Sequence, residues 1–313
     1  MQASFRDALS DALIAFGKEY PDLVVITPDL AKSIRITKFK ELFPERFITA
    51  GISEADMISM AAGISTLGLI PVAAGFAMFT TEKPFEQIRN SVAYPDLNVK
   101  IVATHGGICV GRDGATHQAI EDIAIMRVLP NLTVLVAADA VETRAALKAA
   151  IEHHGPVYLR LGRDAADIVY SRENKFVIGR ADLLKHGKDV SIVACGMMVS
   201  KALKAAVELE KINVSARVIN MHSIKPLDKE IIISAAKETG GIVAVEDHSR
   251  IGGLGSAIAE LVTASYPVPL EQVAIDDKFG ESGEMDELFQ KYGLEVENIV
   301  VAAQKILARK INH

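Results

Sequence analysis

Ionisable and polar side chains are concentrated in a glycine-rich segment between residues 104 and 118. Thr104-His105 is followed six residues later by Gly111-Arg112-Asp113-Gly114-Ala115-Thr116-His117-Gln118. The segment comes just after the mostly apolar run Val99–Ala103, which we predict to be a strand, and ligands of α/β proteins gather at the carboxyl ends of strands. His105, Asp113 and His117 are therefore predicted site residues, suited to hydrogen bonding with hydroxyl groups.

Two other interpretations of this segment stay open. The glycines could serve only to form turns, with the histidines as ordinary surface residues. A metal site is also conceivable, but the segment has neither a Cys-x-x-Cys pair nor a His-x-x-x-His pair on a helix, so zinc is weakly supported. We therefore predict that this chain itself holds no metal.

Glu54 is the second candidate for chemistry. It stands just inside a predicted helix whose N-cap is Ser53, and Asp56 is almost the only other charge nearby. The carboxylate could simply stabilise the positive end of the helix dipole. Alternatively, apolar surroundings would leave it poorly solvated, which favours the protonated form and suits proton exchange.

Phe76 and Phe79 form an aromatic pair in a chain that has few aromatic residues. They follow the predicted strand Pro71–Ala74 with a spacing of three, which places them on about one face of a helical turn. Such a pair more often packs in a core. Its position after a strand also allows it to stack against a flat heteroaromatic ring, which adds roughly 0.5–1.5 kcal/mol beyond area burial.

Length and composition exclude several classes of protein. The chain has 313 residues, half of them apolar, and a net charge of −6, which is typical of a compact α/β protein of about two domains. Basic residues are scattered, so we expect no nucleic acid and no membrane as a partner. The two cysteines, Cys109 and Cys195, show no pairing pattern, and no signal peptide is apparent, so we expect a cytoplasmic location.

Short β-rich runs alternate with helical patterns, which predicts mostly parallel sheets flanked by helices. The predicted strands are Leu23–Ile26, Pro71–Ala74, Val99–Ala103, Thr133–Ala137, Val157–Leu161, Val190–Ala194, Ser215–Asn220 and Gly241–Glu246. The predicted helices are Ser4 to about Tyr20, Glu54–Leu67, Thr81–Val92, Ala119–Leu129, Ala140–His153, Ser200–Lys211, Asp228–Thr239, Gly255–Ala264 and part of a last helix over Gln304–Ile311. The fold class is thus α/β with two consecutive domains, residues 1–165 and 189–313, joined by a polar linker, 166–188.

Taken in order, the candidate residues resemble the pyrimidine-binding and C-terminal domains of transketolase, a thiamine diphosphate enzyme. The similarity covers nearly the whole chain. In the first domain it is carried by Gly51-Ile52-Ser53-Glu54-Ala55-Asp56-Met57, Phe76-Ala77-Met78-Phe79, and Ala103-Thr104-His105 leading into the segment 111–118. In the second domain it is carried by Ile224-Lys225-Pro226-Leu227-Asp228 and Glu246-Asp247-His248.

The resemblance implies roles for the first set of residues in cofactor binding. Glu54 would be the catalytic carboxyl group that hydrogen-bonds the pyrimidine ring of thiamine diphosphate. Phe76 and Phe79 would hold that ring by stacking and edge contacts. The implied activity is transfer of a two-carbon ketol unit from a ketose phosphate to an aldose phosphate.

The resemblance also implies a sugar phosphate site. The implied substrate-binding residues are His105, Asp113, His117, Arg163 and Arg6, with His117 also catalytic. Asp29 departs from what phosphate binding needs, because an acid near a phosphate dianion repels it unless Lys32 or Arg35 compensates.

One part of the family pattern is missing. No Gly-Asp-Gly motif occurs in the sequence, whereas transketolases carry this motif on a domain that binds the diphosphate and Mg²⁺. The chain therefore resembles the C-terminal subunit of a split transketolase. A separate partner subunit would hold most of the thiamine diphosphate and the Mg²⁺, in a dimer or a two-plus-two tetramer, and this chain alone should be inactive.

Three alternatives are left open by the residues. The chain could act like deoxyxylulose phosphate synthase, whose signature would be decarboxylation of pyruvate. It could act like the β subunit of a 2-oxo acid dehydrogenase, which would pass an acyl group to lipoyl-lysine. It could also be a non-catalytic subunit that only binds partners or small ligands.

Overall fold

Two consecutive α/β domains make up the computed structural model, which describes residues 2–171 and 175–311. The strands are β1 (Gln2–Ser4), β2 (Leu23–Thr27), β3 (Phe47–Thr49), β4 (Ile70–Phe76), β5 (Lys100–Thr104), β6 (Thr133–Val136), β7 (Val157–Arg160), β8 (Ala165–Asp167), β9 (Asp182–Lys185), β10 (Val190–Ala194), β11 (Ala216–Asn220), β12 (Ser223–Lys225), β13 (Ile242–Ser249) and β14 (Leu270–Ile275). The helices are α1 (Phe5–Glu19), α2 (Thr37–Leu42), α3 (Glu54–Ser65), α4 (Ala77–Thr81), α5 (Phe85–Gln87), α6 (Asp122–Arg127), α7 (Ala140–Glu152), α8 (Met198–Glu210), α9 (Lys229–Thr239), α10 (Leu254–Ser265), α11 (Met285–Lys291) and α12 (Val296–Ile311). The predicted fold class, two mostly parallel sheets flanked by helices, is confirmed.

The first sheet has seven strands in the order β12-β6-β7-β5-β4-β2-β3. All neighbours are parallel except β12, which comes from the second domain and pairs antiparallel with β6. Every residue of β2 and β5 is buried, as expected for strands that are covered by helices on both faces. The second domain thus completes one edge of the first sheet.

The second sheet has five strands in the order β14-β13-β10-β11-β9. Strand β9 pairs antiparallel with β11 and lies inside the interval 166–188 that we predicted to be a linker. The second sheet therefore begins within that interval. Residues 172–174, at the middle of the predicted linker, lie outside the described residues.

The helix predicted over Thr81–Val92 is interrupted in the structure. It consists of α4, α5 and a π-helical turn, Ile88–Ala93. Pro84 lies between α4 and α5, and proline lacks the N–H that a continuous helix requires. The break leaves Lys83 at a bend, half exposed.

Several short elements were not predicted. Strands β1 and β8 pair antiparallel and tie the N-terminus to the end of the first domain. Strands β3 and β12 have only three residues each, too few to show an alternating pattern. The last helix, α12, is longer than its predicted part, Gln304–Ile311.

The apolar cores of the two domains are continuous. One buried cluster combines Met126 and Leu132 of the first domain with Ile219 and Ile232 of the second. The domains are therefore packed against each other through apolar contacts as well as through β12. No helix in the described ranges, 2–171 and 175–311, is long and apolar enough to cross a membrane.

Candidate active site

The carboxyl edge of the first sheet gathers most of the predicted site residues. Because β7, β5, β4, β2 and β3 are parallel neighbours, the segments that follow them lie side by side. The residues delivered in this way are Arg163 after β7, His105 after β5, Phe76 at the end of β4, Asp29 after β2 and Glu54 after β3. Helix α1 runs back along the sheet and brings Arg6, in its first turn, to the same edge.

His105 packs directly on Phe76. Residues Phe76 and Thr104 are paired in the register of β4 and β5, so that the next residue, His105, lies over the end of β4. The two rings are stacked, with centroids 3.7 Å apart and planes inclined by 28°. His105 also has a left-handed backbone (φ 65°), a conformation uncommon outside glycine and a sign of a constrained site.

The His105 imidazole is neutral at physiological pH. Burial lowers its pKa to about 3, and the positive charges of Arg6 and Arg163 act in the same direction. Its Nδ1 lies 2.7 Å from the Thr104 hydroxyl, which also lies 3.3 Å from the carbonyl oxygen of Gly75. The arrangement that satisfies both contacts has Nδ1–H donating to Thr104 and the hydroxyl donating to Gly75, so that Nε2 keeps its lone pair as an acceptor.

Phe79 connects this stack to His117. The Phe76 and Phe79 rings are nearly parallel, inclined by 21°, with centroids 6.1 Å apart. The ring of His117 meets Phe79 edge-on at 5.0 Å. A third ring placed between two phenyl rings would need about 7 Å, twice the usual contact distance, so Phe76 and Phe79 do not sandwich a ligand. A flat ligand would instead stack on an outer face or contact an edge.

Glu54 begins α3 and is only 5% exposed. Ser53 occupies the predicted N-cap position, but its side chain makes no capping hydrogen bond. The expectation that Glu54 has almost no charge beside it is wrong, because the Lys83 ammonium donates to its Oε2 at 3.0 Å. The same ammonium lies 4.8 Å from the centre of the Phe79 ring.

The contacts of Lys83 define what else could bind beside Glu54. The ammonium gives the carboxylate an N–H donor and lies over the face of an aromatic ring. A flat nitrogen heterocycle with a ring N–H could make both contacts, since it can stack on Phe79 and donate to Glu54. The donor set therefore fits a pyrimidine-type ring on condition that Lys83 moves aside.

Two arginines give this edge of the sheet a positive charge. Arg6 donates to Asp164 Oδ1 at 2.5 Å and to the carbonyl oxygen of Ser33 at 3.2 Å. Arg163 donates to the carbonyl oxygen of Val110. Only Asp164 offsets the two guanidinium groups among the described residues in contact with them.

The structure also places Arg35, Asp29 and Asp113, which the sequence analysis named. Arg35 does not compensate Asp29, because it is bound to Asp7 at 2.6 and 2.7 Å. Asp29 is exposed with a left-handed backbone (φ 62°). Asp113 is also exposed.

Sequence reasoning missed Lys83 and a buried ionic network beneath the site. Asp122 Oδ2 accepts hydrogen bonds from the Tyr158 hydroxyl at 2.5 Å and from Arg160 Nε at 2.7 Å. Arg160 Nη2 also donates to the carbonyl oxygen of Asp247, at 2.8 Å. Pro84 could have indicated the bend that frees Lys83, but nothing local in the sequence connects Asp122, Arg160 and Asp247.

In the part of the chain that the structure describes, one group of three side chains has the composition of a metal site. It comprises Glu142, Asp182 and His222, at the junction of the domains rather than at the candidate site. Both oxygens of Glu142 already accept hydrogen bonds, from Ala138 N and Asn220 Nδ2. The group has no bearing on the chemistry of the candidate site.

Comparison with known proteins identifies both domains. Residues 1–167 match the model of the transketolase pyrimidine binding domain, and residues 179–299 match that of the transketolase C-terminal domain. A Methanocaldococcus jannaschii protein provisionally named as a transketolase C-terminal section is 46% identical over 94% of this chain and 93% of its own length. A 6-deoxy-6-sulfo-D-fructose transketolase subunit of Clostridium sp. (strain MSTE9) is 41% identical over 97% of this chain and 95% of its own length.

Solved structures agree with these family matches. A chain described as a split gene transketolase, inactive beta4 tetramer, superimposes with a TM-score of 0.92 and 50% identity over 97% of this chain and 98% of its own. The transketolase of Leishmania mexicana superimposes with a TM-score of 0.83 and 26% identity over 98% of this chain but only 46% of its own length. Family membership implies dependence on thiamine diphosphate. This chain belongs to the transketolase family.

Proposed function

We propose that this chain is the subunit of a two-chain transketolase that supplies the pyrimidine site and the substrate edge. Together with a partner subunit it would transfer a two-carbon ketol unit from a ketose phosphate to an aldose phosphate. The observation that carries the proposal is the arrangement of a buried carboxylate, an N–H donor and an aromatic face made by Glu54, Lys83 and Phe79.

In the proposed mechanism Glu54 is the group that exchanges a proton with the cofactor. When bound, thiamine diphosphate supplies the electron sink for breaking and forming the carbon–carbon bond. Lys83 would leave the carboxylate, and Glu54 would then hydrogen-bond a ring nitrogen of the pyrimidine. Phe79, backed by Phe76, would hold the ring.

The positive charge at the carboxyl edge of the first sheet suits an anionic substrate. Arg6 and Arg163 would bind the terminal phosphate, while Nε2 of neutral His105 would accept a hydrogen bond from a substrate hydroxyl without adding charge. His117, beside Phe79, would contact the sugar near the reacting carbons. Asp113 would join it once the partner subunit covers this exposed region.

Related subunits differ in their named substrates, so the sugar is the least constrained part of the proposal. Relatives are named for 6-deoxy-6-sulfo-D-fructose and for apulose 4-phosphate. A sulfonate and a phosphate are both tetrahedral anions, which suit a pair of guanidinium groups. We infer a ketose with an anionic terminus as the donor class, and a ketose phosphate as its first member to test.

The rest of the cofactor site is assigned to a partner. Since no Gly-Asp-Gly motif is present in this sequence, the partner subunit would carry it and hold the diphosphate and Mg²⁺. We assign residues 1–165 to the pyrimidine-binding part, 166–188 to the connection and 189–313 to the C-terminal part. The proposed assembly is a dimer or a two-plus-two tetramer with the partner, in the cytoplasm.

The proposal can be tested by reconstitution. The chain would be co-expressed with the neighbouring reading frame that encodes a Gly-Asp-Gly motif, then assayed for two-carbon transfer from xylulose 5-phosphate to ribose 5-phosphate with thiamine diphosphate and Mg²⁺. We expect activity only when both chains are present, and its loss in Glu54→Gln. Asp56→Asn, in the same helical turn but exposed, is the matched control and should stay active.

A synthase activity is the alternative that the same reconstitution would reveal. Two 1-deoxy-D-xylulose-5-phosphate synthases are 34% and 35% identical to this chain over 98% of it, although the chain matches only 48% and 49% of their lengths. Release of carbon dioxide from pyruvate, without two-carbon transfer from xylulose 5-phosphate, would replace the transketolase proposal. Cofactor binding without either reaction would favour a non-catalytic subunit.

A further inference from the structure

The segment that follows His105 is hydrogen-bonded to a side chain of the second domain. Asp247, near the end of β13, is 3% exposed, and its Oδ1 accepts a hydrogen bond from the backbone N–H of Ile108 at 3.0 Å. Ile108 begins the short 3-10 turn Ile108–Asp113. The first N–H groups of such a turn have no partner within it, so a carboxylate from the other domain provides one.

The backbone can approach the Asp247 carboxylate this closely only because the residues at this point are glycines. Gly107 has a φ of +86°, and a Cβ atom at this position would lie 2.0 Å from Asp247 Oδ2. A Cβ atom on Gly106 would lie 2.6 Å from Arg160 Nε. The two adjacent glycines therefore allow the backbone to contact both the Asp247 carboxylate and the Arg160 guanidinium.

The backbone of Asp247 is itself fixed in place, whereas its Oδ2 has no hydrogen-bond partner among the described residues. Burial raises the pKa of Asp247, whereas the charge of Arg160 and the backbone N–H groups of Ile108 and Cys109 oppose that rise. Arg160 Nη2 donates to the Asp247 carbonyl oxygen at 2.8 Å, and Arg160 Nε is bound to Asp122. The anchor thus joins β13 of the second domain to β7 of the first.

Both ends of the anchored segment carry site groups. On one side, His105 stacks on Phe76 at 3.7 Å. On the other, the carbonyl oxygen of Val110 accepts the hydrogen bond of Arg163. In the middle, the N–H of Gly107 donates to the carbonyl oxygen of Ala119 at 2.7 Å. A displacement of residues 106–110 would therefore move the imidazole of His105 and release the support of Arg163.

We propose that Asp247 is a positioning residue, through which the second domain sets the conformation of residues 105–110 and so the orientation of His105 and Arg163. It touches neither cofactor nor substrate. The anchoring is a property of this chain alone, whereas its effect on the sugar phosphate rests on the proposed function.

The first test is made on the isolated chain by hydrogen exchange. In Asp247→Ala we expect amide exchange in residues 106–110 to rise at least tenfold, with little change elsewhere. Asp247→Asn keeps an acceptor oxygen and should exchange at a rate between those of the wild type and the alanine variant. Should the alanine variant not fold, faster exchange confined to 106–110 in the asparagine variant supports the proposal, and unchanged protection overturns it.

Asp228 provides the matched control. It is 5% exposed, lies in the same domain and also accepts backbone hydrogen bonds, from Ile231 N at 3.2 Å and Ala181 N at 3.0 Å. Asp228→Ala should leave exchange in residues 106–110 unchanged even where it lowers the melting temperature. If it affects that segment as much as Asp247→Ala does, the effect is general destabilisation and the proposal is wrong.

The second test uses the complex with the partner subunit and thiamine diphosphate. Asp247→Ala should raise the KM for the ketose phosphate about tenfold and leave the Kd of the cofactor unchanged, with Asp247→Asn restoring part of the KM. An unchanged KM despite faster exchange would overturn the positioning role. If the wild-type complex transfers no two-carbon unit, the proposed function fails, while the exchange experiment still decides whether Asp247 anchors the segment.

Discussion

Lys83 Nζ lies 3.0 Å from Glu54 Oε2 and neutralises a carboxylate that is otherwise enclosed by the first domain. The lysine is half exposed, whereas the glutamate is buried. Loss of the lysine therefore costs the protein more than loss of the glutamate, because a buried charge without a partner is strongly unfavourable while an exposed one is not.

We predict that Lys83→Met lowers the free energy of unfolding by about 1–2 kcal/mol at pH 7. The reason is the unpaired carboxylate left at Glu54, not lost packing, since methionine keeps most of the side-chain length. Urea unfolding of the single variants and of Lys83→Met/Glu54→Gln would measure the coupling. The double variant should recover most of the loss, and additive effects of the two substitutions would contradict the pairing.

A glycine can be required because its φ is positive or because a Cβ atom would collide with a neighbour. Gly51 meets only the first condition, whereas Gly107 meets both. Both have positive φ, 86° and 72°, but a Cβ atom on Gly107 would collide with Asp247 while one on Gly51 would meet nothing within 4 Å. We predict that Gly51→Ala costs about 1 kcal/mol of stability and that Gly107→Ala costs at least about 2 kcal/mol more. Equal losses in denaturant unfolding would show that the approach of Asp247 is looser than the structure indicates.

Much of the site could be predicted because it follows from strand ends. Phe76 ends a parallel strand and His105 directly follows one, and the apolar runs that mark these two strands are visible in the sequence. Glu54 follows β3, which is too short to be predicted. Parallel neighbours deliver their following residues to one edge whatever the details of the loops. The contact of His105 with Phe76 is a direct result of the register between β4 and β5.

The unpredicted parts depend on backbone breaks and on contacts distant in the chain. Lys83, which contacts Glu54, lies where the predicted helix is interrupted before Pro84. Asp247 meets Ile108 across 139 residues, and no local pattern reports such a contact. Asp113 stays a predicted site residue; it lies exposed at the end of the 3-10 turn, next to Gly114, where φ is +77°.

His105 should make stability depend on pH below neutrality. Burial lowers the pKa of this imidazole to about 3 from an ordinary value of 6.5, so the unfolded chain takes up a proton in this range while the folded chain does not. The resulting stabilisation is complete above about pH 6.5 and is lost as the pH falls towards 3.

We predict that the wild type loses roughly 1 kcal/mol more stability than His105→Gln between pH 7 and pH 5.5. Urea unfolding at both pH values measures this difference. Because the other histidines are present in both proteins, their contributions cancel in the comparison. Parallel pH profiles for the two proteins would mean that His105 titrates normally in the folded state.

The pair of Asp122 and Arg160 gives the largest predicted loss of stability. Both side chains are almost fully buried, and the two are joined at 2.7 Å, so Asp122→Ala would leave a guanidinium group enclosed without its carboxylate. We predict a loss of about 3–5 kcal/mol in urea unfolding. The surface pair of Arg127 and Glu260 has the same 2.7 Å separation but an exposed glutamate, so Glu260→Ala should cost no more than about 1 kcal/mol. Asp122 also accepts a hydrogen bond from the Tyr158 hydroxyl, so the difference between the two losses measures the effect of burial together with the loss of that bond, and similar losses would mean that water reaches Arg160.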